Sequence, residues 1–228
     1  MPELTLAQFA KLFDHTLLKA DASRAGFEKL CDEARHYSFA MVAINPLPVK
    51  LCRELLAGTD VHVGAAIGFP LGQNTVEQKL SETASSIADG AHEIDYVVNL
   101  TAVKDGDWKL VEREMTAIVE LCREQGVLSK VIFETCYLTD DEKRGIASIA
   151  RDVEPDFVKT STGFGTGGAT LADIELMRDA VGDRVKLKAA GGIRTLEDAL
   201  RFIDLGVSRI GCSASVAICD AYAQLKGE

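Results

Sequence analysis

Short apolar runs recur along the chain, separated by longer stretches in which apolar residues return every three or four positions. Eight runs read as strands: FDHTLL (13–18), MVAIN (41–45), VHVGAAIG (61–68), HEIDYVVN (92–99), KVIFETC (130–136), DFVKTS (156–161), VKLKAA (185–190) and SRIGC (208–212). They are rich in Val, Ile and Phe and are closed by turn-forming residues, as strands are. Between them, 74–90 holds Val76, Leu80, Ala84 and Ile87 at helical spacing, with Asn74 as N-cap, Glu77 in the third position and Gly90 past the end. Thr139 with Glu142, Thr170 with Asp173 and Thr195 with Asp198 mark three more helix starts, and Gly182 and Gly206 close the last two helices. The stretch 107–125 predicts a long amphipathic helix carrying Trp108 and Met115.

Strands in strict alternation with helices run parallel, because each return needs a crossover. An open doubly wound sheet and a closed (β/α)8 barrel both satisfy that rule. Eight strands, at about 28 residues per unit, favour the (β/α)8 TIM barrel. No linker or composition shift divides the chain, so residues 1–228 read as a single α/β domain.

Charge then appears where a core strand should be apolar. Alternation sets Lys186 and Lys188 opposite Val185, Leu187 and Ala189, and Asp14 and Thr16 opposite Phe13, His15 and Leu17. It sets Glu93 and Asp95 opposite Ile94, Tyr96 and Val98, and Lys159 opposite Val158 and Thr160. The apolar faces suit a helix layer, so the charges point into the barrel, where they need partners. Lys159 and Lys188 fall toward the C-terminal ends of their strands, the face where such barrels keep their chemistry. An internal ion-pair network that only fills the barrel is the competing explanation, and it stays open for Lys130, Glu134 and Lys186.

Two lysines beside a carboxylate point to amine chemistry, in which a lysine attacks a carbonyl to form a Schiff base. An ordinary lysine is a free amine only about once in 2,500 at pH 7. A second ammonium and a dry pocket both raise that fraction, and a carboxylate such as Asp95 can relay protons. The glycine-rich 161–168 and Gly191-Gly192 follow the sixth and seventh strands, and Gly211-Cys212-Ser213 ends the eighth at the start of a helix. Backbone N–H groups in such loops hold phosphate without a basic surface.

Composition narrows the rest. Hydrophobic residues are 47% and charged residues 26%, ordinary for a globular chain. Thirty-five acids against 25 Lys and Arg give a net charge of −10, which argues against nucleic acid or an anionic membrane face as partner. Six scattered cysteines, with no CxxC and no histidine spacing for a metal, read as reduced thiols of a cytoplasmic protein. No apolar run is long enough to span a membrane, and the MPELTLAQFAKLF start lacks a signal peptide's basic opening.

In order along the chain, DHTLL (14–18), IGFPLG (67–72), GAHEIDYVVN (90–99), KVIFET (130–135), FVKTSTGFG (157–165), KAAGGIR (188–194) and RIGCS (209–213) resemble the deoxyribose-phosphate aldolase family. That resemblance implies a (β/α)8 barrel that reversibly cleaves 2-deoxy-D-ribose 5-phosphate to D-glyceraldehyde 3-phosphate and acetaldehyde, without metal or cofactor, as a homodimer. It implies Lys159 as the Schiff-base lysine, Lys188 as the second lysine and Asp95 as the proton relay. Asp14, Thr16 and Thr162 would line the pocket, and Gly163, Gly192 and Ser213 would hold phosphate. The chain departs from the pattern at Ala43, where many members have cysteine, and at Ala214, where some have a second serine. Its tail ends Lys226-Gly227-Glu228, where some members carry a terminal tyrosine, and Tyr222 lies further in. Another Schiff-base barrel, such as a transaldolase, and a non-catalytic sugar-phosphate binder are the rival readings.

Overall fold

The computed structural model describes residues 4–227; the first three residues of the N-terminal segment and Glu228 lie outside them. Among these residues, eight parallel strands close in chain order into a barrel, the last pairing with the first. The elements run α1 (Leu6–Ala10), β1 (Phe13–Leu17), α2 (Arg24–Tyr37), β2 (Met41–Ile44), α3 (Val49–Leu55), β3 (His62–Ile67), α4 (Val76–Ala88), β4 (Glu93–Val97), α5 (Leu100–Lys104) and α6 (Trp108–Glu124). They continue with β5 (Leu128–Ile132), α7 (Asp140–Val153), β6 (Phe157–Lys159), α8 (Leu171–Val181), β7 (Lys186–Ala190), α9 (Leu196–Asp204), β8 (Arg209–Cys212) and α10 (Ser215–Lys226). The (β/α)8 barrel expected from the sequence is the fold.

Alternation along each strand separates two environments. Val42, Val63, Ile94, Tyr96, Val131, Val158, Leu187 and Ile210 pack outward with the helices in one continuous apolar core. The barrel interior instead holds buried Asp14, Glu93, Asp95, Lys130, Lys159 and Lys188. Space inside is set by small residues on β3: a Cβ on Gly64 would lie 2.3 Å from Met41 Sδ, so glycine leaves the room that Met41 fills.

The helix starts follow the local chemistry that predicted them. Thr139 and Glu142 form a reciprocal capping box, and the Thr170 and Thr195 hydroxyls accept from the N–H groups of Asp173 and Asp198. Helix α4 differs from expectation. Its N-cap is Thr75, boxed with Gln78, and its inward face is Val76, Lys79, Thr83 and Ser86, while Ala84 is exposed. Polar residues can face inward there because Lys79 meets Glu114 of α6 at 2.6 Å, both fully buried.

Strand β5 also differs. It starts at Leu128 and ends at Ile132, so Glu134 and Cys136 lie beyond it. Glu134 has φ +55°, which ends the extended run and starts a 3-10 turn over Thr135–Tyr137. Short helices α1 and α5 were not foreseen in the sequence pattern.

Candidate active site

Register places the interior charges at neighbouring heights. Asp95 of β4 pairs with Lys130 of β5, and Lys159 of β6 with Lys188 of β7. The Asp95 carboxylate gathers three lysines. Its Oδ2 accepts from Lys159 Nζ at 2.8 Å and Lys188 Nζ at 2.7 Å, and its Oδ1 from Lys130 Nζ at 2.7 Å. Lys188 also stands 2.5 Å from Asp14 Oδ2. Below them Glu93 contacts Lys130 and meets Arg209 at 3.0 Å, and Arg209 closes the ring onto Asp14.

Four cations, Lys130, Lys159, Lys188 and Arg209, therefore share three carboxylates, Asp14, Glu93 and Asp95. One cation is in excess, and the group that most readily gives up a proton is Lys159. Burial lowers its pKa most, the Lys188 and Lys130 ammoniums add to that, and Asp95 opposes them; the result is about 8. At that value about one Lys159 in ten is a free amine at pH 7. Burial alone would favour a protonated Asp95, but Lys130, Lys159 and Lys188 outweigh it and hold the carboxyl well below its ordinary range. The opposite holds for Lys130, which Asp95 and Glu93 push upward against its burial.

Lys159 forms the floor of a cavity of about 370 Å³ at the C-terminal end of the barrel. Thr16, Thr162, Gly163, Gly192 and Ser213, all expected at the site, line it as well. Asp95 and Lys188 are buried and absent from the lining; Asp95 contacts Lys159 directly, and Lys188 reaches it through the shared Asp95 oxygen. Asp14 departs from its expected place on the pocket wall: it is fully buried under Lys188 and is absent from the lining, because Lys188 and Arg209 engage both its oxygens.

The two threonines are engaged by protein groups. Thr16 Oγ1 donates to the Asp14 carbonyl at 2.9 Å. Thr162 donates its N–H at 3.2 Å and its hydroxyl to the Glu134 carboxylate, whose pKa burial raises. Thr162 thus anchors the glycine-rich loop to the segment that follows β5. Phe164 of that loop also lines the cavity and meets Phe69 edge-on at 5.3 Å, a contact the sequence pattern did not signal.

Glycine is required where the loops cross. A Cβ on Gly168 would lie 2.2 Å from the Gly191 carbonyl oxygen, and Gly192 has φ +79°. Helix α10 has Ala214 as its N-cap residue and no side-chain cap, so N–H groups of its first turn are left for an outside acceptor beside Ser213.

Arg209 and Lys130 are the charges that sequence reasoning missed or left open. Each shares interior parity with a neighbour already singled out, which was the available signal. Tyr222 has no part in the cavity: its hydroxyl donates to Leu4 O at 2.7 Å and its ring stacks on Phe9. Cys136 lies in the 3-10 turn and lines a separate cavity with Gly167 and Asp173.

Ala43 faces the barrel interior between Thr16 and Gly64. Two acetaldehydes joined and dehydrated by an amine catalyst give a conjugated iminium, which a pocket thiolate attacks. The wild type is expected to outlast Ala43→Cys in prolonged acetaldehyde. Peptide mapping by mass spectrometry should find a crosslink between Lys159 and the introduced thiol. An equally fast crosslink from Lys159 to Cys136 in the wild type would refute the protection and put Cys136 within reach of the site.

A parallel barrel with a buried amine at the floor of its C-terminal cavity is a frame suited to carbonyl chemistry. The chain belongs to the DeoC/LacD aldolase family, whose profile it matches over residues 9–220. It is similar to the deoxyribose-phosphate aldolase of Lactobacillus acidophilus, with 54% identity over 217 residues, 95% of this chain and 92% of that protein. The deoxyribose-phosphate aldolase of Bacteroides thetaiotaomicron is 53% identical over 98% of this chain and 94% of its own length. A tetrameric deoxyribose phosphate aldolase from Aeropyrum pernix superposes with a TM-score of 0.87 at 30% identity, covering 97% of this chain and 93% of that one. The protein is an aldolase, a lyase.

Proposed function

We propose that the protein reversibly cleaves 2-deoxy-D-ribose 5-phosphate to D-glyceraldehyde 3-phosphate and acetaldehyde, with Lys159 as the Schiff-base nucleophile. The observation that carries this is Lys159 at the cavity floor, lowered to a pKa of about 8 and held 2.8 Å from Asp95. The neutral amine attacks the C1 aldehyde of the open-chain sugar, and the carbinolamine loses water to form an iminium. A base removes the C3 hydroxyl proton, the C2–C3 bond breaks, and its electrons flow into the iminium as an enamine. The C3–C5 fragment leaves as glyceraldehyde 3-phosphate. Protonation of the enamine at C2 and addition of water then release acetaldehyde and restore the amine. Asp95 would pass protons between the amine and the reacting oxygens, a role its hydrogen bonds to Lys159 and Lys188 support. Gly163, Gly192, Ser213 and the uncapped start of α10 would receive the phosphate, with Ala214 contributing backbone N–H alone.

The lysine supplies the electron sink, so EDTA is expected to leave activity intact. The substrate test is a donor screen: acetaldehyde should serve as nucleophile and dihydroxyacetone units should not. A preference for dihydroxyacetone donors, or activity lost to EDTA and restored by a divalent ion, would contradict the proposal. The proposed setting is the cytoplasm, where the six unpaired cysteines stay reduced; among the described residues no helix is long and apolar enough to cross a membrane. A homodimer is the proposed assembly, and light scattering would separate it from a tetramer like that of the Aeropyrum pernix relative.

A further inference from the structure

The interior ion pairs do not stop at the cavity floor. They continue down the barrel in two branches to the N-terminal ends of the strands. One runs from Asp95 to Lys188, then Asp14, then Arg209. The other runs from Asp95 to Lys130, then Glu93, where Arg209 at 3.0 Å and His62 Nδ1 at 2.7 Å also bind. Arg209, Glu93 and His62 each open their strand, so this lower tier lies at the end of the barrel remote from the cavity. None of the three lines the cavity above Lys159.

We propose that Arg209 and Glu93 are positioning residues of the aldolase: by occupying Asp14 and Lys130 from below, they fix how much of the Asp95 carboxylate is left to hold a proton on Lys159. The inference rests on Lys159 being the nucleophile. The cations share too few counter-ions. Arg209 takes part of Asp14, so Lys188 leans on Asp95, and Lys159 must share Asp95 with two other ammoniums. Without Arg209, Asp14 is free to satisfy Lys188, and Asp95 turns to Lys159. Without Glu93, Lys130 has only Asp95, and Lys159 loses more of its counter-ion.

The charged groups around the tier act in the same balance. Asp14 from β1 and Glu93 from β4 contact Arg209, while His62 from β3 and Lys130 from β5 contact Glu93. On β7, Lys186 and Lys188 flank it, with Lys186 Nζ 5.6 Å and Arg209 5.6 Å from the centre of the Phe157 ring of β6. His92 stacks on His62 at 4.9 Å, and Glu134 acts on Lys159 from above. The only interior-facing groups of β2 at this depth are apolar, with Met41 Sδ 3.4 Å from Lys130. The lowering of the Lys159 pKa by Lys188 and Lys130 has the direction this balance requires.

The test is the acid limb of the kcat/KM profile in two variants of opposite sign and their combination. Arg209→Met removes a cation, so the limb should move to higher pH, with kcat/KM at pH 7 falling about tenfold for each unit of movement. Glu93→Gln removes a carboxylate, so the limb should move to lower pH. The double variant removes one charge of each sign and should bring the limb back toward the wild-type position. Arg209→Lys keeps the charge and should keep the limb. A purely structural role gives losses that accumulate in the double variant and no opposed movement of the limb, and that result would overturn the proposal. Should the methionine variant fail to fold, as judged by its thermal melt, Arg209→Gln read by the pH dependence of borohydride trapping with acetaldehyde gives the same sign test. Mapping the trapped adduct separates the two claims. An adduct on Lys159 with an unmoved limb overturns this inference alone, whereas an adduct on another lysine overturns the nucleophile assignment beneath it.

Discussion

Replacing Asp95 by asparagine is expected to slow turnover about 10²–10⁴-fold, the range for loss of a positioned acid–base group. The carboxylate touches Lys159 at 2.8 Å and Lys188 at 2.7 Å through one oxygen, so it can hand a proton between them. An amide keeps the shape and an acceptor oxygen but is no base. The loss would not come from a protonated amine. Without the carboxylate, Lys130, Lys159 and Lys188 face one another with less counter-charge, which lowers the Lys159 pKa further. Carbonyl uptake should therefore persist while turnover fails. Single-turnover trapping with acetaldehyde and borohydride, compared with steady-state rates, reads the two separately. The melting temperature should fall as well, because a buried pair broken on one side costs about 3–5 kcal/mol. A variant near the wild-type rate would reduce Asp95 to a packing charge.

Lys188→Leu acts in the other direction. It removes one of the ammoniums that lower the Lys159 pKa and releases Asp95 to hold the Lys159 proton. The apolar side chain in place of the ammonium increases desolvation, which works against the shift without removing its cause. The acid limb of kcat/KM, near pH 8 in the wild type if Lys159 governs it, should move upward. Activity at neutral pH should drop about tenfold per unit and recover in alkaline buffer. An unmoved limb at a near-normal rate would exclude Lys188 from the site.

The fold was legible because its two periodicities are clean. Leu187 and Ala189 against Lys186 and Lys188 leave only one orientation of β7, and the Thr139–Glu142 pair marks the start of α7 without tertiary help. The errors fall where a distant partner or an unusual dihedral decides. Lys79 reads as surface until Glu114, 35 residues on, is packed against it. The end of β5 is set by the positive φ of Glu134, which no local pattern announces for a glutamate. The site shows the same division. Lys159, Lys188 and Asp95 stood out as charges on strand faces, whereas Arg209 passed unnoticed because its partners, Asp14 and Glu93, come from strands far away in sequence. The resemblance implies Asp14 on the pocket wall; strand parity gives only its interior face, and its depth along the barrel depends on register between strands.

The most direct measurement is borohydride reduction in the presence of acetaldehyde, followed by proteolysis and mass mapping of the modified peptide. Hydride converts the iminium carbon to a stable secondary amine, so only a lysine that forms a Schiff base keeps the two carbons. The expected result is an N-ethyl group on Lys159, absent without acetaldehyde and absent in Lys159→Leu. An adduct on Lys188, or continued turnover with no trapped lysine, would contradict the account.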